Sequence, residues 1–197
     1  MGNRGVLHDA LGKLKRPWQI RRWLICVLEF RGRHRRVMTP GNYTELFFLD
    51  EATALAAGHR PCAECRRDRF NDFRRAWPVA DSDRSKLPTA DEMDRRLHAE
   101  RVHLDRTKQC FLANVDELPN GVIFRYPAEC EDSFIIWNDK LFQWTAGGYT
   151  CVINRPKNVK CLVLNPKSTV ETIRAGYVPQ IHPSATAHVN ESSLKVN

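Results

Sequence analysis

The chain's hydrophobic positions change period twice. Arg21 to Phe30 is dense in β-formers around Trp23-Leu24-Ile25-Cys26-Val27-Leu28, and Thr44 to Leu49 repeats that character. Each predicts a strand. With the turn Arg31-Gly32-Arg33-His34 between them, the two are expected to pair as a hairpin with the arginines of 31–36 at its tip. A helical pattern follows. Asp50 is a good N-cap, Glu51 to Ala57 is alanine-rich, and Gly58 supplies the C-terminal stop. A second helix is expected from Pro61 to Trp77, where Phe70, Phe73 and Trp77 share one face and Arg66, Arg67, Arg69, Arg74 and Arg75 cover the others. Pro78 ends it.

After a polar stretch from Val79 to Pro88, Thr89 and Glu92 form a capping box for a third helix whose buried stripe is Met93, Leu97 and Leu104. From Cys110 the pattern turns to short strands: Gly121 to Tyr126, Ser133 to Trp137, Lys140 to Trp144 and Lys160 to Leu164, with Asn138-Asp139 as a hairpin turn. Ser168 with Glu171 is expected to cap a last short helix closed by Gly176. Together these elements predict an α+β protein. A small β-hairpin/helix module spans 17–80, a linker and capped helix 81–104, a compact β-rich unit 105–183 and a disordered tail 184–197. One internal echo stands out: cap to glycine is eight residues both from Asp50 to Gly58 and from Ser168 to Gly176, and a proline follows each glycine. A degenerate duplication and a chance recurrence of a common helix ending both account for it.

Composition is that of an ordinary globular chain, and no apolar run is long enough to span a membrane. With no secretion signal, a cytoplasmic protein with reduced thiols is expected. Charge is unevenly placed. Residues 1–40 hold ten Lys and Arg against Asp9 and Glu29, whereas the remainder has 21 basic and 21 acidic residues. The net charge of +8 therefore belongs to the first fifth of the chain. A field of that sign suits a polyanion such as DNA or RNA, with Arg31, Arg33, Arg35, Arg36, Arg66 and Arg67 as phosphate contacts. A solvated basic face kept for solubility is the alternative.

Of seven cysteines, only Cys62 and Cys65 have ligand spacing. Two thiols in a C-x-x-C turn can reach one ion, and a tetrahedral zinc needs two more donors. Pro61 as the first residue of a helix would place both sulfurs at its positive end, which favours the thiolate. Cys26 and His34, on the expected hairpin, are the nearest further donors, with His59 and His98 as competitors. Without a metal, the pair would pack as small apolar groups. The other five cysteines stand singly in apolar or β-like surroundings, where inert buried thiols are the usual outcome.

The run from Phe47-Phe48 through Ala57-Gly58-His59-Arg60-Pro61 to Cys62-Ala63-Glu64-Cys65-Arg66 resembles the second half of the Ada-type metal-binding domain of bacterial alkylation-damage response proteins. The resemblance covers about twenty residues and implies a zinc-binding module. That family has an earlier cysteine pair, one member of which accepts a methyl group from a damaged DNA phosphate. Counted back without gaps, its positions fall near Arg31 and Arg35, so the methyl-transfer chemistry does not carry over.

Two further patterns bear on function. His98-Ala99-Glu100 with the Cys pair reproduces the parts of a zinc deaminase, in the wrong order and with His98 in mid-helix. A zinc hydrolase or deaminase acting on a nucleotide or base, with Glu100 as proton shuttle, is the alternative function. A partner-binding protein with a purely structural Cys pair is the second. Trp18, Trp23 and Tyr43 interleave with the basic segment, and Trp137, Phe142, Trp144 and Tyr149 sit in the β-rich half. Such rings form either stacking platforms or core.

Overall fold

A computed structural model describes residues 1–32, 36–78, 87–128 and 130–185. The chain is α+β, with two sheets and four helices among the described residues. The smaller sheet joins β1 (Gly2–Asn3), β2 (Leu24–Ile25) and β3 (Arg60–Pro61), separated in sequence by α1 (Glu51–Ala56) between the last two. β1 and β2 are antiparallel and β2 and β3 parallel. α2 (Arg67–Arg75) and α3 (Ala90–Arg101) follow. The larger sheet contains β4 (Phe111–Asn114), β5 (Ile123–Arg125), β6 (Ser133–Trp137), β7 (Lys140–Thr145), β8 (Gly148–Asn154) and β9 (Lys160–Val163), in the order β4-β9-β5-β6-β7-β8. Every pairing in it is antiparallel. α4 (Lys167–Arg174) is the final helix.

Both faces of the large sheet are covered, and strand alternation explains how. Successive side chains point to opposite faces. Thus Phe134 and Ile136 of β6, Phe124 of β5 and Leu141 of β7 enter one apolar cluster, while Ile135, Ile123 and Phe142 enter another. α1 divides its small side chains in the same way. Ala54 and Leu55 join the first cluster, and Ala52 and Ala56 the second. The first cluster also takes Ile25, Phe73, Trp77, Met93, Leu97 and Tyr177, so segments 17–80 and 105–183 both contribute to it.

Several sequence expectations are corrected. The hairpin of residues 21–30 and 44–49 does not form: only Leu24–Ile25 is a strand, it pairs with β1 and β3, and Leu46 makes an isolated bridge to Gly2. β1 comes between them, with Gly2 pairing with Ile25 and also bridging Leu46. Pro61 ends β3 instead of opening α2, which starts at Arg67. α3 stops at Arg101, so Leu104 falls off the buried stripe and is fully exposed. The helix α4 begins one residue before Ser168, which is no N-cap: its N–H and hydroxyl both donate to Glu100. Strands β4 and β8 were not apparent from sequence. The Asn138-Asp139 turn does form, with both residues at positive φ as its tight geometry requires. The Thr89 capping box also forms. Arg33, His34 and Arg35, most of the 79–88 stretch and residues 186–197 of the tail lie outside the described residues.

Buried charge fixes how the helices dock. Arg60, 2 % exposed, donates from Nε and Nη2 to the two carboxylate oxygens of Asp94 at 2.8 and 2.6 Å. This bidentate pair joins β3 to α3. Gly58, at φ +88°, closes α1, and a Cβ there would stand 2.7 Å from the Arg101 side chain. Removing one member of a buried pair leaves the other charged and unpartnered, at a cost of about 3–5 kcal/mol. Asp94→Ala is therefore expected to destabilise the fold by that amount in urea denaturation, and Asp91→Ala, whose partner Arg95 is exposed, by less than about 1 kcal/mol.

Candidate metal centre

The parallel pairing of β2 with β3 assembles the cysteines. Ile25 is in register with Pro61, and the Cys62 N–H donates to the Ile25 carbonyl at 3.0 Å. The next residue on each strand is a cysteine, so Cys26 comes to lie beside Cys62. The chain then turns: Arg66 N–H reaches the Cys62 carbonyl at 3.1 Å, and Glu64 N–H points to the Cys62 sulfur at 3.4 Å. That turn returns Cys65 to the same place, just ahead of α2. The three sulfurs all lie within 4.8 Å of one another.

This geometry can hold a metal ion. Sulfurs about 2.3 Å from a tetrahedral zinc lie about 3.8 Å apart, which three clustered thiols reach with small adjustments. The electrostatics are also those of a ligand set. The Cys26 thiol hydrogen-bonds the Cys62 sulfur, and with the backbone N–H groups of Cys65 and Glu64 it lowers the Cys62 pKa to about 5. Cys26 moves the opposite way, upward, chiefly through that same hydrogen bond. Burial raises Cys65. Cys62 is the most buried of the three.

Of the residues singled out from sequence, Cys26, Cys62 and Cys65 come together, and His34 is outside the described residues. His59 is not a ligand. It is fully buried between Trp23 and Phe48, with ring centroids 5.4 and 4.9 Å away, and burial lowers its pKa well below the usual value. His98 packs edge-on against Trp18 at 4.5 Å. Glu100 is absent from the cluster, and its carboxylate is already engaged. It accepts from Ser168 N and Oγ at 2.8 and 2.6 Å and from Arg96 at 3.0 Å, tying α3 to the start of α4. Among the cysteines expected to be inert and buried, only Cys161 is buried. Cys110 is half-buried, and Cys130 and Cys151 are exposed.

A groove of about 550 Å³ runs beside Cys26 and Cys65, bordered by Arg66, Arg67 and Arg69. These arginines are not equivalent. Arg66 and Arg69 reach Glu51 at 3.2 and 2.5 Å, while Arg67 is exposed and forms no ion pair among the described residues. Arg31 and Arg36 are exposed as well. No described helix is long and apolar enough to cross a membrane. No family model, curated protein or solved structure matches the chain.

The β2–β3 register makes Cys26 as important as the C-x-x-C pair. Elemental analysis should find about one metal per chain in the wild type, and Cys26→Ser should lose it as fully as Cys62→Ser. Cys130→Ser and Cys151→Ser should retain it. Retention by Cys26→Ser would separate that residue from the centre.

Proposed function

We propose that the chain is a zinc-stabilised nucleic-acid-binding protein. Cys26, Cys62 and Cys65 hold the ion, with His34 as the fourth donor, and the exposed arginines beside the centre meet phosphates. The observation that carries this reading is the convergence of three sulfurs beside a groove bordered by Arg67. Zinc bound there would tie the β2–β3 register to the start of α2 and so fix the orientation of that rim. The likeness of residues 47–66 to the second half of the Ada-type domain supports the choice of metal. The uneven charge of the chain supports the choice of partner. All seven cysteines are free, which suits the reducing cytoplasm.

The arginines divide by what they already touch. Arg66 and Arg69 share Glu51 and help close the fold. Arg31, Arg36 and Arg67 are exposed and free to meet phosphates. Methyl transfer is not part of the proposal, since the positions that would carry it fall at arginines. Proton shuttling by Glu100 is not part of it either, because that carboxylate joins two helices.

Binding of this kind releases counterions, so affinity falls linearly with salt on logarithmic axes, by about 0.9 per phosphate neutralised. Affinity for single- and double-stranded DNA and RNA should fall steeply between low and physiological salt. The triple variant Arg31→Ala/Arg36→Ala/Arg67→Ala should flatten the slope by about 2–3 units while the protein keeps its metal. Binding that ignores salt, or no binding to any of these polymers, would remove the proposal.

A further inference from the structure

A second candidate site is lined by Trp23, three residues before Cys26. A cavity of about 310 Å³ opens between α1, the end of α3 and the large sheet. Four cations line it, namely Arg4, Arg101, Arg106 and Lys108, and no carboxylate does. None of the four forms an ion pair among the described residues. Three of them bond backbone carbonyls instead, Arg101 to Gly58 and Arg21, Arg106 to Trp18 and Lys108 to Ala56, and Arg101 also meets His98 Nδ1 at 3.5 Å. Asp94, the acid whose charge acts on Arg101, already accepts from Nε and Nη2 of Arg60.

Buried charge without a counter-charge is costly, and proteins resolve it by pairing or by binding an ion of opposite sign. Arg101 is 1 % exposed, and its Nε is a buried donor without an acceptor. Arg4 Nε and Trp18 Nε1, both on the same wall, are in the same state. Burial also works against the charge of Lys108, lowering its pKa to about 8 although part of the side chain is exposed. The cavity is therefore rich in donors and poor in acceptors.

Its remaining surface is aromatic and aliphatic. Trp23 carries Arg101 and Arg4 over its ring at 3.9 and 4.7 Å, and Trp18 carries Arg106 at 4.4 Å. Trp144 is anchored by its indole N–H to Thr53 Oγ1 at 3.1 Å, and no cation of the described residues lies over its ring. A flat ring can stack there, as bases stack on indoles at about 1–3 kcal/mol each. The volume is at the small end of the usual range for small-molecule sites, about 300–1,000 Å³.

We infer that this cavity binds a nucleoside monophosphate, the base lying among the tryptophans and the phosphate meeting Arg4, Arg101, Arg106 and Lys108. A phosphate monoester carries up to two negative charges and three acceptor oxygens, which matches the surplus of donors better than a single carboxylate does. The same group arrives either as a free nucleotide or as the phosphorylated end of a strand. The site stands on residues other than those proposed to bind zinc or the nucleic-acid backbone, so the two readings fail separately.

The test titrates the metal-loaded, full-length protein with AMP and UMP, following tryptophan fluorescence. Adenosine, uridine and inorganic phosphate serve as partial probes, and a 5′-phosphorylated single-stranded oligonucleotide is compared with its unphosphorylated form. The monophosphates or the phosphorylated end should bind at least about tenfold more tightly than either partial probe or the unphosphorylated strand. Arg106→Ala/Lys108→Ala, at two exposed positions, should lose that preference while keeping its circular dichroism spectrum and metal content. Arg31→Ala/Arg36→Ala/Arg67→Ala should keep it. Tight binding of AMP or UMP assigns the free nucleotide, and tight binding confined to the oligonucleotide assigns the strand end. No binding of any monophosphate-bearing probe, no preference over the partial probes, or unchanged binding in Arg106→Ala/Lys108→Ala overturns the inference.

Discussion

Two backbone hydrogen bonds hold this molecule's chemistry in place. Arg60 N–H donates to the Trp23 carbonyl and Cys62 N–H to the Ile25 carbonyl, each at 3.0 Å. They set the parallel register of two very short strands, and three consequences follow. Cys26 lies beside Cys62. The Arg60 guanidinium points inward to Asp94, fixing α3. Trp23 forms the wall of the cationic cavity, three residues or about 10 Å of extended chain from the sulfur cluster. A slip of one residue would turn every one of these side chains to the other face. Strands so short cannot hold such a register by themselves, and an ion shared between Cys26 and the Cys62–Cys65 turn would lock it.

The neighbouring carboxylates Asp50 and Glu51 do comparable work at the opposite edge of α1. Asp50 caps the helix through Thr53 and accepts from Tyr149 and the His182 N–H. Glu51, 3 % exposed, accepts from Tyr177, Gln180, Arg66 and Arg69. Two adjacent side chains thus gather α2, the large sheet and the segment after α4 around α1. They also consume positive charge that a count along the sequence treats as free. Arg66 and Arg69, which border the groove beside the cysteines, are thereby committed to Glu51.

How much of this was legible in the sequence depended on the range of the interactions. The Thr89 capping box, the Gly58 stop and the Asn138-Asp139 turn are local devices, and all three form as read. Cys62 and Cys65 were legible because their spacing itself carries the geometry. Cys26 was named for its position near the helix start, although the expected hairpin was absent and the parallel pairing that brings it there was not foreseen. Non-local pairings left no periodic trace. The partners of Arg60, Arg101 and Glu100 lie 34, 43 and 68 residues away. Strand β8 is hard to read from sequence because Gly148, Thr150 and Asn154, three of its seven residues, are glycine or polar. Sequence alone leaves Trp18, Trp23 and Trp144 as stacking surfaces or core, and the structure gathers them around one cavity.

Chain register, more than the C-x-x-C motif alone, gathers the three sulfurs that could hold an ion. X-ray absorption on the zinc-loaded protein counts the sulfur neighbours of the ion directly. Three sulfurs at about 2.3 Å are predicted, one from each of Cys26, Cys62 and Cys65. A first shell with two sulfurs or fewer would contradict the account.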